Sequence, residues 1–278
     1  MVTDYEARML RVLAYIHENP AGDLSLDTLA GVAAMSRFHW HRVFRGMTGE
    51  TCAQAARRIR LHRAACWLVQ TEWSLAEVAG RCGYPTTQSF SRAFREGYGA
   101  SPGRFRQRGE LRPPLLRSHP GENIMFDVKI EDRPSYRLAA MAHEGPYPEI
   151  GKIFEQVSAI IGARGLWPHA RGMMGVYYDD PAAVPAAQLR SHAGVLLDDA
   201  AVIAAPLEEI RTDAGEWAIL TFKGPYAGLQ AAYDYLWGKW LAESGREPRD
   251  APAVENYLNS PAKVRPDDLL TEICLPLK

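Results

Sequence analysis

Two short stretches of the sequence carry side chains able to pair with base edges or phosphates. In the first, Arg37, Phe38, His41, Arg42 and Arg45 fall at helical spacing on one face, with Phe44 turned to the core. In the second, Gln88, Ser89, Ser91, Arg92 and Arg95 share a face, with Phe90 and Phe94 inward. Arginine, glutamine, serine and histidine are the groups that read a DNA major groove or grip its backbone. A solvated helix face would also collect arginines, but here the polar face occurs twice. A different chemistry is offered near the C-terminus, where Glu255 stands two residues from Tyr257, with Tyr147, Tyr226, Tyr233, Trp217 and Trp237 as further aromatic candidates. A carboxylate beneath aromatic rings attracts a lipophilic cation through its charge and through the ring quadrupoles. The plainer alternative is a surface glutamate on an edge strand above core aromatics.

The elements that must position these groups come as two internal repeats. Leu24–Gly31 matches Trp73–Gly80 at an offset of 49, and Arg42-x-Phe44-Arg45…Gly49 matches Arg92-x-Phe94-Arg95…Gly99 at an offset of 50. Each copy reads as a Ser-capped helix, a turn and a second helix, which is a helix-turn-helix. Ser36 is the expected N-cap for a helix over Arg37–Arg45, and Thr86 or Thr87 for one over Gln88–Glu96. The segment Ala53–Gln70 has helical periodicity without Gly or Pro. At ~1.5 Å per residue it spans about 27 Å, which sets the two second helices roughly one duplex turn, about 34 Å, apart.

The later repeat is of another kind. Ala140–Tyr147 matches the stretch ending Gly224-Pro225-Tyr226 at an offset of 79, while Met174–Pro181 matches Val254–Pro261 and Leu189–Leu196 matches Leu269–Pro276 at an offset of 80. The unit reads strand, strand, Gly-Pro-Tyr turn, helix, strand, strand. The helices are expected over Glu149–Ala163 and Gly228–Ser244. Two such units are expected to join their sheets about a pseudo-two-fold axis and leave a cleft where they meet. Glu255 corresponds to Gly175, so the carboxylate has no counterpart in the first copy.

Composition agrees with two domains. The chain of 278 residues has a formal charge of −1, yet Met1–Arg117 holds 17 Arg, no Lys and 10 acidic residues, a balance of +7, and the remainder balances to −8. A basic half joined to an acidic half points to a polyanion-binding module fused to something else. Gly109–Asn123, with Pro113, Pro114, Pro120 and Gly121, is the expected linker between domains at 1–108 and 124–278. The expected fold class is an all-α N-terminal domain, with two helix-turn-helix motifs joined by a long helix, and an α+β C-terminal domain of duplicated units. No apolar run reaches membrane-span length and the N-terminus lacks a secretory pattern, so a cytoplasmic protein without membrane contact is expected. Cys52, Cys66, Cys82 and Cys274 have no CxxC spacing, and His143, His169 and His192 have no HxxxH or HExxH spacing. No metal site and no cofactor are expected.

The run Ser36–Phe44, Arg60-Leu61-x-Arg63-Ala64, Val78-Ala79-x-x-Cys82-Gly83-Tyr84, Ser89–Arg95 and Ser101-Pro102 resembles the AraC/XylS-type DNA-binding domain over residues 1 to 108. The resemblance implies a seven-helix fold and double-stranded DNA as partner, with contacts from Phe38, His41 and Arg42 and from Gln88, Ser89, Ser91 and Arg92. The paired Gly-Pro-Tyr turns, Glu255-x-Tyr257-x-x-x-x-Pro and the terminal Thr271–Lys278 resemble the GyrI-like, multidrug-regulator effector-binding domain over residues 124 to 278. That resemblance implies an aromatic pocket for amphipathic cations centred on Glu255, with Cys274 at its edge where relatives often carry an aromatic residue. Relatives that hydrolyse electrophiles with carboxylates also exist, so two readings stand. In one the chain is a transcription regulator with a small cationic effector, and with RNA polymerase as a further partner. In the other, Glu255 is a general base or nucleophile on a bound electrophile, with no Ser-His-Asp, Cys-His or metal-ligand constellation evident beside it.

Overall fold

The computed structural model of the chain describes residues 4–109, 125–261 and 263–278. The expected linker therefore lies, Gly109 apart, outside the described residues. By contact, the described residues up to Met35 and those from Thr48 to 109 form one compact unit, and Ser36–Met47 joins the described residues from 125 onward in a second. This division departs from the composition boundary at one place, the second helix of the first motif.

The helices follow in order as α1 (Asp4–Glu18), α2 (Leu26–Ala33), α3 (Trp40–Thr48), α4 (Cys52–Gln70), α5 (Leu75–Arg81), α6 (Thr87–Tyr98) and α7 (Pro102–Arg108). Their starts are chemically marked. Ser25 accepts from the Thr28 amide, and Thr51 with Gln54 and Ser74 with Glu77 form reciprocal capping boxes at α4 and α5. Each such cap satisfies amide donors that a helix leaves bare and is worth about 1 kcal/mol. Thr86 caps α6 by accepting from Ser89, and Gly99 ends it in the left-handed region at φ +68°. In the first unit, Leu61, Leu68, Val78, Phe90, Phe94 and Phe105 close one core around α4 to α7. The helix α3 corrects an expectation. It begins at Trp40 and not at Arg37, because residues 37–39 form a turn in which the Ser36 carbonyl accepts from the amides of both His39 and Trp40.

The second unit holds an eight-stranded antiparallel sheet: β1 (Val128–Arg133), β2 (Arg137–Glu144), β3 (Ala170–Tyr177), β4 (Arg190–Leu197), β5 (Glu208–Arg211), β6 (Gly215–Lys223), β7 (Ala253–Tyr257) and β8 (Leu270–Pro276). Its spatial order is β1-β6-β8-β7-β3-β4-β2-β5. Exchanging each strand for its counterpart in the other repeat reverses this order onto itself, which is the expected pseudo-two-fold. The first strand of each copy crosses over, β1 to β6 and β5 to β2, so neither copy completes its sheet alone. Helix α8 (Gly151–Ala163) packs Val157 and Ile161 on Ala139, Val195 and Leu197. Its counterpart α9 (Leu229–Tyr235) continues through one π turn, Leu236–Trp240, into α10 (Leu241–Ser244).

The axis runs between β7 and β3, where Gly175 and Glu255 are register partners. The two positions that correspond by sequence therefore face each other. Strand alternation puts Glu255 and Tyr257 on the helix-bearing face, while Val254, Val176, Trp217 and Cys274 gather in a cluster on the other. Trp217 is thus corrected as a pocket aromatic, and Cys274 does not edge the pocket. A Cβ on Gly175 would stand 2.8 Å from the Tyr177 ring and 3.0 Å from its hydroxyl. Gly175→Ala must push the buried Tyr177 aside, and overpacking of this kind costs about 1–3 kcal/mol. The urea midpoint is expected to fall with an unchanged slope; an unchanged midpoint contradicts the tight packing at the axis.

Candidate functional site

Above Glu255, between α8 and α9, lies a cleft of about 1060 Å³. Tyr147 and Tyr226 from the two Gly-Pro-Tyr turns, Phe154 of α8, Tyr233 of α9, and Tyr177 and Tyr257 from the floor line it with Glu255. Of the seven side chains expected here, Glu255, Tyr257, Tyr147, Tyr226 and Tyr233 come together. Trp237 is fully buried behind them, stacked on Tyr233 at 5.0 Å, and Trp217 lies on the opposite face. Phe154 and Tyr177 were missed by sequence reasoning. The 79- and 80-residue offsets that pair them with Tyr233 and Tyr257 were the signal that could have found them.

The carboxylate is 5% exposed and held at both oxygens. Tyr233 donates to Oε1 at 2.9 Å and Tyr257 to Oε2 at 2.8 Å. With its one proton committed, the Tyr257 oxygen accepts from Tyr177, 2.6 Å away. Phe154 and Tyr226 meet the Tyr257 ring edge to face at 5.3 and 5.7 Å. The pseudo-symmetry is broken where it matters: Phe154 becomes Tyr233, which adds a hydroxyl, and Gly175 becomes Glu255, which that hydroxyl binds.

Helix α3 packs into the same unit. His41 Nδ1 lies 2.7 Å from Asp180 Oδ2, with both side chains buried. The Arg42 guanidinium lies over the rings of Tyr233 and Trp237, 4.8 and 5.0 Å from their centroids, and donates to the Asp179 carbonyl at 2.9 Å. Arg45 donates to both Asp234 oxygens at 2.7 Å. The exposed face expected of His41 and Arg42 is corrected, since they are 4% and 8% exposed. The cause is tertiary: their partners lie more than a hundred residues away. Arg37 is exposed, and Phe38 is half-buried beneath its guanidinium at 5.0 Å. In the first unit the second motif keeps its polar face open. Gln88, Arg92 and Arg95 are exposed, and with Ser89 and Ser91 they line a shallow depression along α6.

Comparison with known proteins bears on both regions. The GyrI-like small molecule binding domain family matches residues 126–278, more than half of the chain, and a helix-turn-helix domain family matches 29–108. The chain belongs to the GyrI-like family and carries an AraC-type helix-turn-helix. Over the helix-turn-helix it is 33% identical to the regulatory protein SoxS of Escherichia coli (strain K12) across 97 residues, 35% of this chain and 91% of SoxS. It is 30% identical over 100 residues to the bifunctional transcriptional activator/DNA repair enzyme AdaA of Bacillus subtilis (strain 168), 36% of this chain and 47% of AdaA. The HTH-type activator RhaS of Enterobacter sp. (strain 638) is 32% identical over 37% of each chain. The chain thus spans about half or less of the length of AdaA and RhaS. Among solved structures, the EcmrR C-terminal domain is similar at 17% identity, covering 56% of this chain and 99% of that one with a TM-score of 0.49. A Listeria innocua hydrolase encoded by lin2189 is similar at 12% identity, covering 55% and 92%, with a TM-score of 0.43.

In the GyrI-like unit, burial pushes the Glu255 carboxyl above its ordinary value, and the Tyr257 and Tyr233 hydroxyls and the Arg42 charge pull it back. Burial also opposes ionisation of Asp180, but the His41 hydrogen bond and Arg42 prevail and hold it down at about 2. Among the described residues no group of three or more His, Cys, Asp or Glu side chains is placed to hold a metal ion, and no helix is long and apolar enough to cross a membrane. The arrangement suits a cation: an anion with its hydrogen bonds already made and aromatic faces around it. Carbon-13 NMR of labelled glutamate is expected to show Glu255 titrating above the ordinary carboxylate value. Tyr257→Phe, which removes one donor to the ionised form, moves it higher still. An unshifted midpoint in both proteins contradicts this electrostatic picture.

Proposed function

We propose that the chain is a sequence-specific DNA-binding transcription regulator of the cytoplasm, with 1–108 as its DNA-binding part and 124–278 as its effector-binding part. The effector is a small lipophilic cation held over Glu255, and RNA polymerase is a partner of the DNA-bound protein. The observation that carries the effector reading is the buried carboxylate, braced by two phenol hydroxyls beneath an aromatic cleft. The open polar face of α6, with Gln88, Ser89, Ser91, Arg92 and Arg95, supports the DNA reading. The enzyme reading is the weaker one. Both Glu255 oxygens already accept hydrogen bonds, and among the described residues no histidine or cysteine lines the cleft to act with it.

Quenching of tryptophan fluorescence by tetraphenylphosphonium tests the effector site. Glu255→Gln removes the charge partner of a buried cation, a loss of about 2 kcal/mol or more, so affinity is expected to fall roughly 30-fold. Binding of neutral triphenylphosphine oxide should persist in the variant. Equal tetraphenylphosphonium affinity in both proteins refutes the site. Turnover of an aromatic epoxide that vanishes in Glu255→Gln, with binding retained, establishes the enzyme instead. For the DNA face, Arg92→Ala is expected to weaken binding to a mixed-sequence duplex and to lower the salt slope by about 0.9. No duplex binding by the full chain at low salt overturns that assignment.

A further inference from the structure

Helix α3 is held in the second unit by contacts that use up the side chains expected to meet DNA. His41, Arg42 and Arg45 each have an acidic, carbonyl or aromatic partner there. The helix also approaches backbone to backbone: a Cβ on Gly238, in the π turn after α9, would stand 2.4 Å from the Gly46 Cα. Only two glycines allow this approach. Just before α3, the Trp237 indole donates to His39 Nδ1 at 3.2 Å, so the ring proton sits on Nε2 and donates to the Ala251 carbonyl at 2.8 Å. Burial, with Arg42 close by, pushes His39 down to about 3, so the ring is neutral. These are the features of a built interface: opposite charges, a guanidinium over two rings, a fixed tautomer and a glycine contact.

We propose that the rim of the cleft, Asp180, Tyr233 and Asp234, together with Trp237 behind it, is an interaction surface whose partner is α3 of the same chain, and that a cationic ligand competes with Arg42 there and releases α3 to DNA. The inference rests on the proposed reading of α3 as a DNA-contacting helix and of the Glu255 cleft as a cation site. Arg42 is the resident cation. Its guanidinium covers the Tyr233 ring that also serves the carboxylate, and it lies close enough to favour ionised Glu255. A second cation over the same ring and carboxylate is repelled by the first. A helix whose His41 and Arg42 are buried cannot lay them in a major groove, so docking and DNA reading by α3 exclude each other.

Gly238→Ala tests the surface without touching a side chain of the cleft or of the DNA face, and alanine suits a helix better than glycine. The full-length protein is titrated with a mixed-sequence duplex over a series of salt concentrations, with and without tetraphenylphosphonium. Release of α3 is expected to steepen the slope of log K against log salt by roughly 2, about 0.9 for each of Arg42 and Arg45 that reaches a phosphate. Gly238→Ala shows this steepening without ligand, and the wild-type protein shows it only with tetraphenylphosphonium. Identical slopes for the variant and the wild type, with ligand quenching intact in both, overturn the proposal. A wild-type slope unmoved at saturating ligand overturns the competition with Arg42. Steepening in Gly238→Ala together with no quenching in either protein supports the α3 surface and counts against the cationic effector, which separates the two failures.

Discussion

A carboxylate taken out of water must find hydrogen-bond donors or give up its charge, and most of what distinguishes the second unit follows from how Glu255 meets that demand. It sits at the pseudo-two-fold axis of a duplicated fold, the one paired position of β3 and β7 where a residue faces its own counterpart. An identical pair there would be two glutamates side by side, each raising the cost of ionising the other. The fold instead places Gly175 opposite, and the Tyr177 ring occupies the space that a side chain would take. Two phenols then hold the anion from the strand and the helix, and Arg42 lends a positive charge from above.

The crossing of β1 and β5 into each other's half makes the axis a rigid place to put such a charge, because neither repeat closes its sheet without the other. Duplication supplies matched walls: the tyrosines of the two Gly-Pro-Tyr turns, the aromatic residues of α8 and α9, and the tyrosines of β3 and β7. Two departures from the match, Phe154 to Tyr233 and Gly175 to Glu255, put a carboxylate and a phenol that donates to it into an otherwise aromatic cleft. The π turn after α9 is a third difference, since α8 runs on without one, and it carries Trp237 and Gly238 to α3. Such one-turn irregularities often stand at functional sites.

Local signals were legible to the extent that they were local. The cap at Thr86, the inward Phe90 and Phe94 and the open polar face of α6 depend on residues a few positions apart, and the structure places them as spacing implies. The same spacing in α3 misleads, because what covers His41 and Arg42 comes from Asp180 and from the turn beyond Tyr233. Periodicity within a helix carries no trace of that. Trp217 shows a related limit. Its composition suits a pocket, but only the pairing of β6 in the sheet decides which face it takes. Glu255 itself was visible through the break in the repeat, and the register of β3 with β7 explains why that break falls at the centre of the cleft.

Competition between Arg42 and a cation for one ring and one carboxylate makes ligand binding and DNA binding two readouts of a single equilibrium. Linkage then requires that DNA change the ligand's affinity by the factor by which ligand changes that of DNA. The direct measurement is the dissociation constant of tetraphenylphosphonium for the full chain, alone and at saturating duplex, by tryptophan quenching. Tighter ligand binding in the presence of DNA, by the same factor as ligand tightens DNA binding, is the predicted result. An unchanged constant contradicts the coupling of α3 to the Glu255 cleft.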